Sequence, residues 1–320
     1  MAPRLIFVHG IGAPRQAEQE LATWTAALAE GARRAGHAAF ASDLVSGSVD
    51  TDFAYYGDLF ARPHSQGYGV EDLGSGEAQL VQQLLVDLID EQMSDSEDLE
   101  LCQTLRRALV EVQSPAEAQG VGEPVRRAIN AATTLLSYGP LSRSGQWFGG
   151  KLLVRDLAQV ARYLGRGEAN EQAHALDVRI RQRLHRAFGG RSLVLVAHSL
   201  GSVVAWESLH EYGHEVPLFV TLGSPLAMRS VVWPHLVPAP PVTPPTVRKW
   251  LNFWDRDDII VARPRLEADI QSNAGGVRPE SHRTDSDGLW VHTATKYLQK
   301  PDVAGPVAEA MALAESSMLL

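Results

Sequence analysis

Short runs of apolar residues alternate along this chain with longer stretches in which apolar residues recur every three or four positions. The short runs, which predict buried strands, lie at residues 5–8, 192–196, 218–222 and 247–254. The periodic stretches, which predict amphipathic helices, lie at residues 15–35, at residues 171–188 and from residue 202 onward. Residues 38–44 are predicted to form a further strand. Strands that alternate with helices in this way are typical of α/β proteins with a mainly parallel sheet.

The chain changes character between residues 48 and 166. Residues 48–76 are rich in Asp, Gly and Tyr and are predicted to form a loop. Four helical stretches follow without a strand between them, at residues 79–93, 99–112, 125–136 and 152–164. Because two helices would suffice to cover a crossover between strands, this block is larger than a crossover needs. We therefore expect a core formed by residues 1–47 and 167–320, with a mainly helical insertion at residues 48–166.

A serine stands at the turn between the strand at residues 192–196 and the helix after it. The turn reads AHSLG at residues 197–201. A serine at so sharp a corner takes a strained backbone conformation, and small residues two positions to either side let the strand and the helix pass closely. Ser199 Oγ would then project from the sheet, and the N–H of Leu200 would point to where negative charge develops when a carbonyl is attacked. An ordinary turn with an exposed serine is the alternative.

This strand, serine and helix resemble the nucleophile elbow of the α/β-hydrolases, in particular of their lipase-like and esterase-like branch. The usual elbow is Gly-x-Ser-x-Gly, whereas this chain has Ala197 at the first position, an Ala-His-Ser opening that some bacterial lipases of the branch share. Residues 222–225, LGSP, also resemble the end of the strand that follows the elbow. The resemblance implies an α/β-hydrolase fold, with a mainly parallel sheet flanked by helices. The helical insertion before the nucleophile strand would be a cap or lid.

His9 and Gly10 follow the first strand. In lipase-like hydrolases a His-Gly pair after an early strand forms the other half of the oxyanion hole. The resemblance therefore implies that Ile11 N–H is a donor beside Leu200 N–H, while a simple turn is the alternative for this pair. We also assign His9, Gly10 and His198 to the substrate-binding surface. Because side chains alternate along the elbow, His198 is expected to point away from the serine and to pack or to shape the pocket.

Three acids follow the last of these strands, at Asp255, Asp257 and Asp258. In α/β-hydrolases the acid of the triad follows a late strand and commonly precedes two small aliphatic residues. Asp258, which precedes Ile259 and Ile260, fits this pattern best. Asp255, at the strand end, is the second candidate and Asp257 the third. Three acids in four positions also suit a solvated turn.

Two histidines lie downstream of these acids, His282 and His292. Residues 289–298 resemble the end of the family's domain, where a histidine opens the last helix after a loop. The resemblance implies that His292 is the base. His282 stands among charged residues and is predicted to occupy a solvated loop. The resulting order Ser199, Asp258, His292 agrees with the chain order of the triad in this fold.

Together these residues imply a serine hydrolase that cleaves carboxylic esters through an acyl-enzyme. The large apolar insertion favours a lipid or another small acyl ester as the substrate. A thioesterase or an acyltransferase with the same triad is the alternative within this chemistry. The alternative from a different class is a protein that keeps the fold without turnover and only binds.

Charge and composition restrict the partners further. The formal net charge is −9 and the sequence pI is near 5.7, which disfavours binding to nucleic acid. The 320 residues, 45% of them hydrophobic, suffice for one large domain with an insertion. No apolar window is long enough for a transmembrane segment. Because the first strand starts near Arg4, no room remains for a signal peptide, and we expect a cytoplasmic protein unless a signal was removed before numbering.

The single cysteine, Cys102, excludes an intramolecular disulfide and a cysteine-rich zinc site. Its place in a helical pattern with Leu101 and Leu105 favours packing over reactivity. The sequence contains neither a ligand cluster with zinc spacing nor a phosphate-binding glycine loop, so we expect no metal ion and no cofactor. It leaves the oligomeric state open.

Overall fold

Six parallel strands form a single sheet in the part of the chain that the structure describes. In chain order they are β1 (Arg4–Val8), β2 (Thr51–Ala54), β3 (Leu193–His198), β4 (Leu218–Leu222), β5 (Trp250–Trp254) and β6 (Pro279–Arg283). They lie side by side in the order β2-β1-β3-β4-β5-β6, and each neighbouring pair is parallel. The structure is a computed structural model that describes residues 3–12, 16–61, 73–95, 97–113, 123–138, 149–169, 173–228, 232–256, 258, 260–261, 263–285 and 292–316.

Ten α-helices lie within these described ranges. They are α1 (Ala17–Arg34), α2 (Ala38–Ser46), α3 (Ser75–Asp95), α4 (Leu99–Gln113), α5 (Glu123–Ser137), α6 (Gly150–Leu164), α7 (Leu176–Phe188), α8 (Leu200–Tyr212), α9 (Ala294–Leu298) and α10 (Pro301–Ser316). Helices α1, α2, α9 and α10 contribute to a hydrophobic core on one face of the sheet, and helices α3 to α8 to a core on the other face. The sheet is therefore covered on both faces, as a parallel sheet requires.

The alternation of side chains along β1 shows how the sheet separates these two cores. Leu5 and Phe7 belong to one core, while Ile6 and Val8 belong to the other, and all four side chains are fully buried. Burial of a large aliphatic or aromatic side chain contributes about 1.5–3 kcal/mol. Because both faces of this strand are buried, its sequence is an unbroken apolar run and does not alternate with polar residues.

Two predictions for the first part of the chain are wrong. Residues 38–44 form most of helix α2 and not a strand. Ala41 and Leu44 are buried there at helical spacing, Val45 is exposed, and the alanines favour a helix. The second strand is β2, in the segment that was predicted to be a loop. Only two of its four residues are buried, so its apolar signal is weak. This strand lies inside the range 48–166 that the sequence assigned to the insertion.

The predicted helices of the middle segment are confirmed. Helices α3 to α6 cover the four helical stretches predicted between residues 79 and 164, and each extends beyond the predicted limits at one end or both. They pack on one another, α3 against α4, α5 and α6, and α5 against α4 and α6. No helix in the described ranges combines the length and apolarity that a bilayer span requires.

A buried ionic network joins helix α6 to helices α7 and α8. Glu207 of α8 accepts hydrogen bonds from Tyr163 at 2.6 Å and from Arg166 at 2.5 Å. Asp177 of α7 accepts hydrogen bonds from Arg166 at 2.7 Å and from Arg181 at 2.8 Å. Both carboxylates are almost completely buried. The network therefore fixes the end of α6 to α8, the helix that follows Ser199.

Candidate active site

The connections that follow β1 and β3 meet at the carboxyl edge of the sheet. Residues 9–12 follow β1, and Ser199 follows β3, the strand next to it. The chain leaves β1 toward β2 on one side and leaves β3 toward β4 on the other side. Because the two connections diverge, a crevice opens between them, and such a crevice is where open α/β sheets bind ligands.

Ser199 occupies this crevice with an unusual backbone conformation. Its φ is +53° and its ψ is −132°, a combination that costs a residue with a side chain about 1–3 kcal/mol. Its N–H donates to the carbonyl of Leu222 at 3.0 Å, and its carbonyl accepts from the Ser202 hydroxyl at 2.6 Å. The Ser202 hydroxyl is also 2.7 Å from the hydroxyl of Ser224. Strand β4 and the first turn of α8 thus hold both backbone groups of the strained serine.

His292 lies between Ser199 and Asp258. Its Nε2 atom is 2.9 Å from Ser199 Oγ, and its Nδ1 atom is 2.7 Å from Asp258 Oδ2. The three residues are 6%, 2% and 0% exposed, respectively. Since an ionised carboxylate only accepts hydrogen bonds, the hydrogen on Nδ1 faces Asp258 and the lone pair on Nε2 faces the serine hydroxyl. Ile260 N–H donates to Asp258 Oδ1 at 3.1 Å and fixes the carboxylate from its other side.

Tyr297 of α9, which sequence reasoning did not select, also contacts Asp258. Its hydroxyl donates to Asp258 Oδ2 at 2.7 Å and accepts a hydrogen bond from Asp255 N–H at 3.2 Å. Burial, together with the charge of Asp258, holds the pKa of Tyr297 well above its ordinary value, so the phenol keeps its hydrogen. The tyrosine stands five residues after His292 at an apolar helix position, and that pattern by itself predicts core packing only.

The structure separates the rival candidates by their positions. Asp255 is 1% exposed, and its carbonyl accepts the N–H of Asp258 at 3.1 Å, so it forms part of the turn that carries Asp258. Asp257 lies outside the described residues. His282 belongs to the edge strand β6, so the prediction of a loop there is wrong, and half of its side chain is exposed, 4.0 Å from Glu280. Asp258 and His292 are the candidates that lie at Ser199.

Gly10 brings the loop after β1 directly onto the serine. A Cβ atom added to Gly10 would lie 2.6 Å from Ser199 Cβ, and one added to Gly201 would lie 2.2 Å from the carbonyl oxygen of His9. Neither distance is possible, so both positions need glycine. Position 201 therefore needs glycine because the loop after β1 lies against it. The sequence suggested a different reason, the close approach of the strand and the helix. The loop carries Ile11, which lines the same cavity as Ser199 and Leu200. The N–H of Leu200, at the start of α8, has no acceptor within that helix.

His9 and His198 have packing partners around the crevice. The His9 ring stacks on Tyr56 with ring centres 4.1 Å apart, and its Nε2 atom accepts the N–H of Tyr56 at 3.1 Å. The ring of His198 lies 4.7 Å from the ring of His292 and 6.1 Å from that of Trp24. Both histidines also line a cavity beside Ser199. His198 therefore packs against His292 and lines the pocket at the same time.

Two cavities of different character meet at this point. The first has a volume of about 190 Å³, and its lining includes Glu20, Asp156 and His292. The second has a volume of only about 20 Å³ and is lined by Ser199 and otherwise by apolar residues, which are Ile11, Leu84, Leu88, Leu157, Val160, Leu200, Pro225, Met228, Val232 and Ile260. Because Ile11 lines both, it lies at their boundary. The crevice therefore has a wider side of mixed polarity and a narrow apolar side.

Within the described part of the chain, no group of three or more His, Cys, Asp and Glu side chains is arranged to hold a metal ion. Comparisons of the chain with protein-family models, with curated proteins and with solved structures give no match.

Proposed function

We propose that the protein is an α/β-hydrolase that cleaves carboxylic esters with Ser199 as its nucleophile. The observation that carries this proposal is the hydrogen-bonded series from Ser199 Oγ to His292 Nε2, at 2.9 Å, and from His292 Nδ1 to Asp258 Oδ2, at 2.7 Å. A serine, an imidazole and a carboxylate in this order provide a nucleophile, a base and a group that orients the base.

In the first step Ser199 Oγ attacks the carbonyl carbon of the ester while His292 Nε2 removes its proton. Asp258 stabilises the imidazolium that results. The carbonyl oxygen becomes an oxyanion, and the N–H groups of Leu200 and Ile11 donate hydrogen bonds to it. The positive end of helix α8, which begins at Leu200, favours the same negative charge.

In the second step the tetrahedral intermediate collapses, and the bond between the carbonyl carbon and the alcohol oxygen breaks. His292 gives its proton to the departing alcohol, which leaves an acyl group on Ser199. Water then attacks this acyl-enzyme with His292 again as the base. The carboxylic acid departs and Ser199 Oγ recovers its proton.

The two cavities favour a short acyl group and a larger alcohol. The apolar cavity, of about 20 Å³, is the smaller of the two and favours a short acyl group. The other cavity, of about 190 Å³, has polar and apolar residues in its lining and leaves room for the alcohol. Lipids with long acyl chains would require the apolar cavity to widen.

Helices α3 to α6 act as the cap in this proposal. Leu84 and Leu88 of α3 and Leu157 and Val160 of α6 line the apolar cavity, so the cap helices limit the acyl group. They also cover Ser199, which is 2% exposed. A covered serine keeps bulk water away from the oxyanion and strengthens the electrostatic interactions around it.

The test is covalent labelling with a fluorophosphonate, compared between the parent chain and Ser199→Ala. We expect rapid labelling of the parent and none of the variant, since the probe phosphonylates an activated serine. Equal labelling of both would overturn the proposal. Ser208, whose hydroxyl is buried against its own helix, provides a matched serine control. Ser208→Ala should label as the parent does.

A panel of acetyl esters, acetyl thioesters and acetamides then defines the leaving group. We expect turnover of the esters to exceed that of the amides by several orders of magnitude. Thioester turnover far above ester turnover would assign the chain to the thioesterases. Release of an acylated alcohol in place of free acid would assign it to the acyltransferases.

A further inference from the structure

Ile11 lies between two glycines whose peptide groups are each held by a side chain from another part of the fold. The hydroxyl of Tyr56 donates to the carbonyl of His9 at 2.6 Å and also lies 3.3 Å from the carbonyl oxygen of Gly10. Gln159 of α6 contacts both backbone groups of Gly12. Its Oε1 atom accepts the N–H at 3.2 Å, and its Nε2 atom donates to the carbonyl at 2.8 Å.

These contacts determine where the N–H of Ile11 points. A peptide group is planar, and its C=O and N–H point in opposite directions. The contact at the carbonyl of Gly10 therefore sets the direction of Ile11 N–H, which belongs to the same peptide group. The contact at the N–H of Gly12 fixes the peptide group on the other side of Ile11. With both planes held, the φ and ψ of Ile11 are restrained.

Such restraint is needed because glycine would otherwise leave the loop flexible. Gly10 and Gly12 flank Ile11, and the φ of Gly12 is +146°, in a region that few other residues adopt. A donor that must find its orientation during the reaction loses part of its effect, since oxyanion stabilisation depends on dipoles that are already aligned. The contacts of Tyr56 and Gln159 therefore order this loop in the free protein, before a substrate binds.

Both side chains suit this task. Tyr56 is fully buried, and burial raises the pKa of its phenol above the ordinary value, so the hydroxyl keeps the hydrogen that it donates. Its ring is itself fixed by stacking on His9. Gln159 is 4% exposed, and its neutral amide supplies one acceptor and one donor at once, which a carboxylate in its place would not do.

We propose that Tyr56 and Gln159 are positioning residues that orient the N–H of Ile11 toward the oxyanion. The inference rests on the proposed ester hydrolysis at Ser199 and adds to it two residues that touch neither the substrate nor the reacting atoms. The loop of residues 9–12 is held by Tyr56, which follows strand β2, and by Gln159 of helix α6.

The experiment compares Tyr56→Phe and Gln159→Met with the parent in the hydrolysis of a short-chain ester. Removal of one oxyanion donor costs about 100- to 1,000-fold in kcat, and a donor that is present but misaligned should cost about 10- to 100-fold. We expect kcat to fall by this factor while KM changes less than about twofold, because the ground state makes no oxyanion. A rise in KM with kcat unchanged would contradict the proposed role.

A second measurement separates alignment from general loss of structure. An alkyl trifluoromethyl ketone adds to an active-site serine and places an oxyanion in the hole, whereas the alcohol of the same shape cannot. We expect the inhibition constant of the ketone to rise about tenfold or more in both variants, and that of the alcohol to stay unchanged. Equal weakening of both inhibitors would assign Tyr56 and Gln159 a structural role only.

Two control variants match the changes in chemistry. Tyr55 also stacks on His9, but its hydroxyl lies against Gly57, and Gln82 of α3 donates to the carbonyl of Pro124. Tyr55→Phe and Gln82→Met should behave as the parent. If Tyr56→Phe does not fold, Gln159→Met carries the test alone, because methionine keeps the volume of the side chain.

The outcomes distinguish this inference from the proposed function. A parent chain that hydrolyses no ester and binds no ketone overturns the proposed function and the inference with it. A parent that does both, with variants that match it in kcat and in ketone binding, overturns the inference alone.

Discussion

Tyr297 and His292 contact the same oxygen of Asp258, the phenol hydroxyl and Nδ1 each at 2.7 Å from Oδ2. Hydrogen bonds to a charged carboxylate are stronger than those between neutral groups. Tyr297 therefore helps to hold the carboxylate of Asp258 in the orientation that meets His292. The same hydroxyl joins the carboxylate to the backbone of Asp255, so it also fixes the position of the acid.

Replacement of Tyr297 by Phe should slow catalysis. Without the phenol, Asp258 loses one of the hydrogen bonds that hold its carboxylate against His292. We expect kcat to fall about tenfold, equivalent to about 1.4 kcal/mol. The measurement is the hydrolysis rate of a short-chain ester.

Tyr163→Phe is the matched control for this prediction. Tyr163 is also a fully buried tyrosine that donates to a carboxylate, that of Glu207 at 2.6 Å, but it lies in the ionic network of α6, α7 and α8. Its replacement should reduce stability and leave kcat unchanged. A kcat of Tyr297→Phe equal to that of the parent would contradict the role given to this hydroxyl.

Asp258→Asn and Asp255→Asn should differ strongly in activity. An amide in place of the Asp258 carboxylate removes the acceptor that holds the hydrogen on Nδ1 of His292, and we expect kcat to fall about 10⁴-fold. Asp255 contacts Tyr297 through its backbone N–H, which asparagine retains, so we expect less than a tenfold loss. Single-turnover acylation rates check both. The opposite order would move the role of the acid to Asp255.

Leu157→Ala should change the preference for acyl chain length. The side chain lines the apolar cavity and is 5% exposed, so its truncation widens the cavity at a cost of about 2–5 kcal/mol in the free energy of unfolding. Across 4-nitrophenyl esters of increasing acyl length, we expect the highest kcat/KM to move from the shortest esters to longer ones. Leu135→Ala, which truncates a buried leucine of α5, should cost similar stability without this change. A parent that prefers long chains would contradict the small cavity.

Asp177→Asn should destabilise the protein at neutral pH but not in acid. Burial alone would raise the pKa of Asp177, but the hydrogen bonds and charges of Arg181 and Arg166 outweigh it, and the pKa is lowered. A carboxyl with a lowered pKa in the folded chain contributes stability above its unfolded value of about 3.9 and loses it as the pH falls through the folded value. We expect a loss of about 3 kcal/mol at neutral pH.

Urea unfolding of parent and variant at a series of pH values measures this difference, which should narrow below pH ~4. The exposed Asp43 provides the comparison, because Asp43→Asn should change stability by less than about 0.5 kcal/mol at every pH. A difference for Asp177→Asn that stays constant with pH would rule out the ionised carboxylate as the source.

The sequence predicts the elements of this fold where burial is two-sided or strictly periodic. Strand β1 and the helices of the middle segment were visible for that reason. Strand β2 was not visible, because two of its four residues are only partly buried. Helix α2 was mistaken for a strand because it is short and its apolar residues are clustered. An edge strand such as β2 pairs with one strand only, and that partner is not visible in the local sequence.

The candidate site follows the same rule. Ser199 stands in a local motif, and Asp258 and His292 were selected by resemblance, so a reader of the sequence can choose them. Tyr56 and Gln159 have no local signal, since they meet the β1 loop from 46 and 147 residues away. Residues that support a site across such distances become visible only when the chain is folded.

Helix α6 gives neighbouring positions to two different tasks. Leu157 and Val160 line the apolar cavity, where the proposed reaction would place the acyl group, and Gln159 between them holds Gly12. A displacement of the whole helix could admit longer substrates, but it would also move Gln159 away from Gly12. Such a change would therefore slow the proposed reaction. Specificity and speed can change separately only through substitutions that leave the helix axis in place. Substitutions of the cavity-lining side chains of α6 should accordingly preserve the rate better than changes that shift the helix.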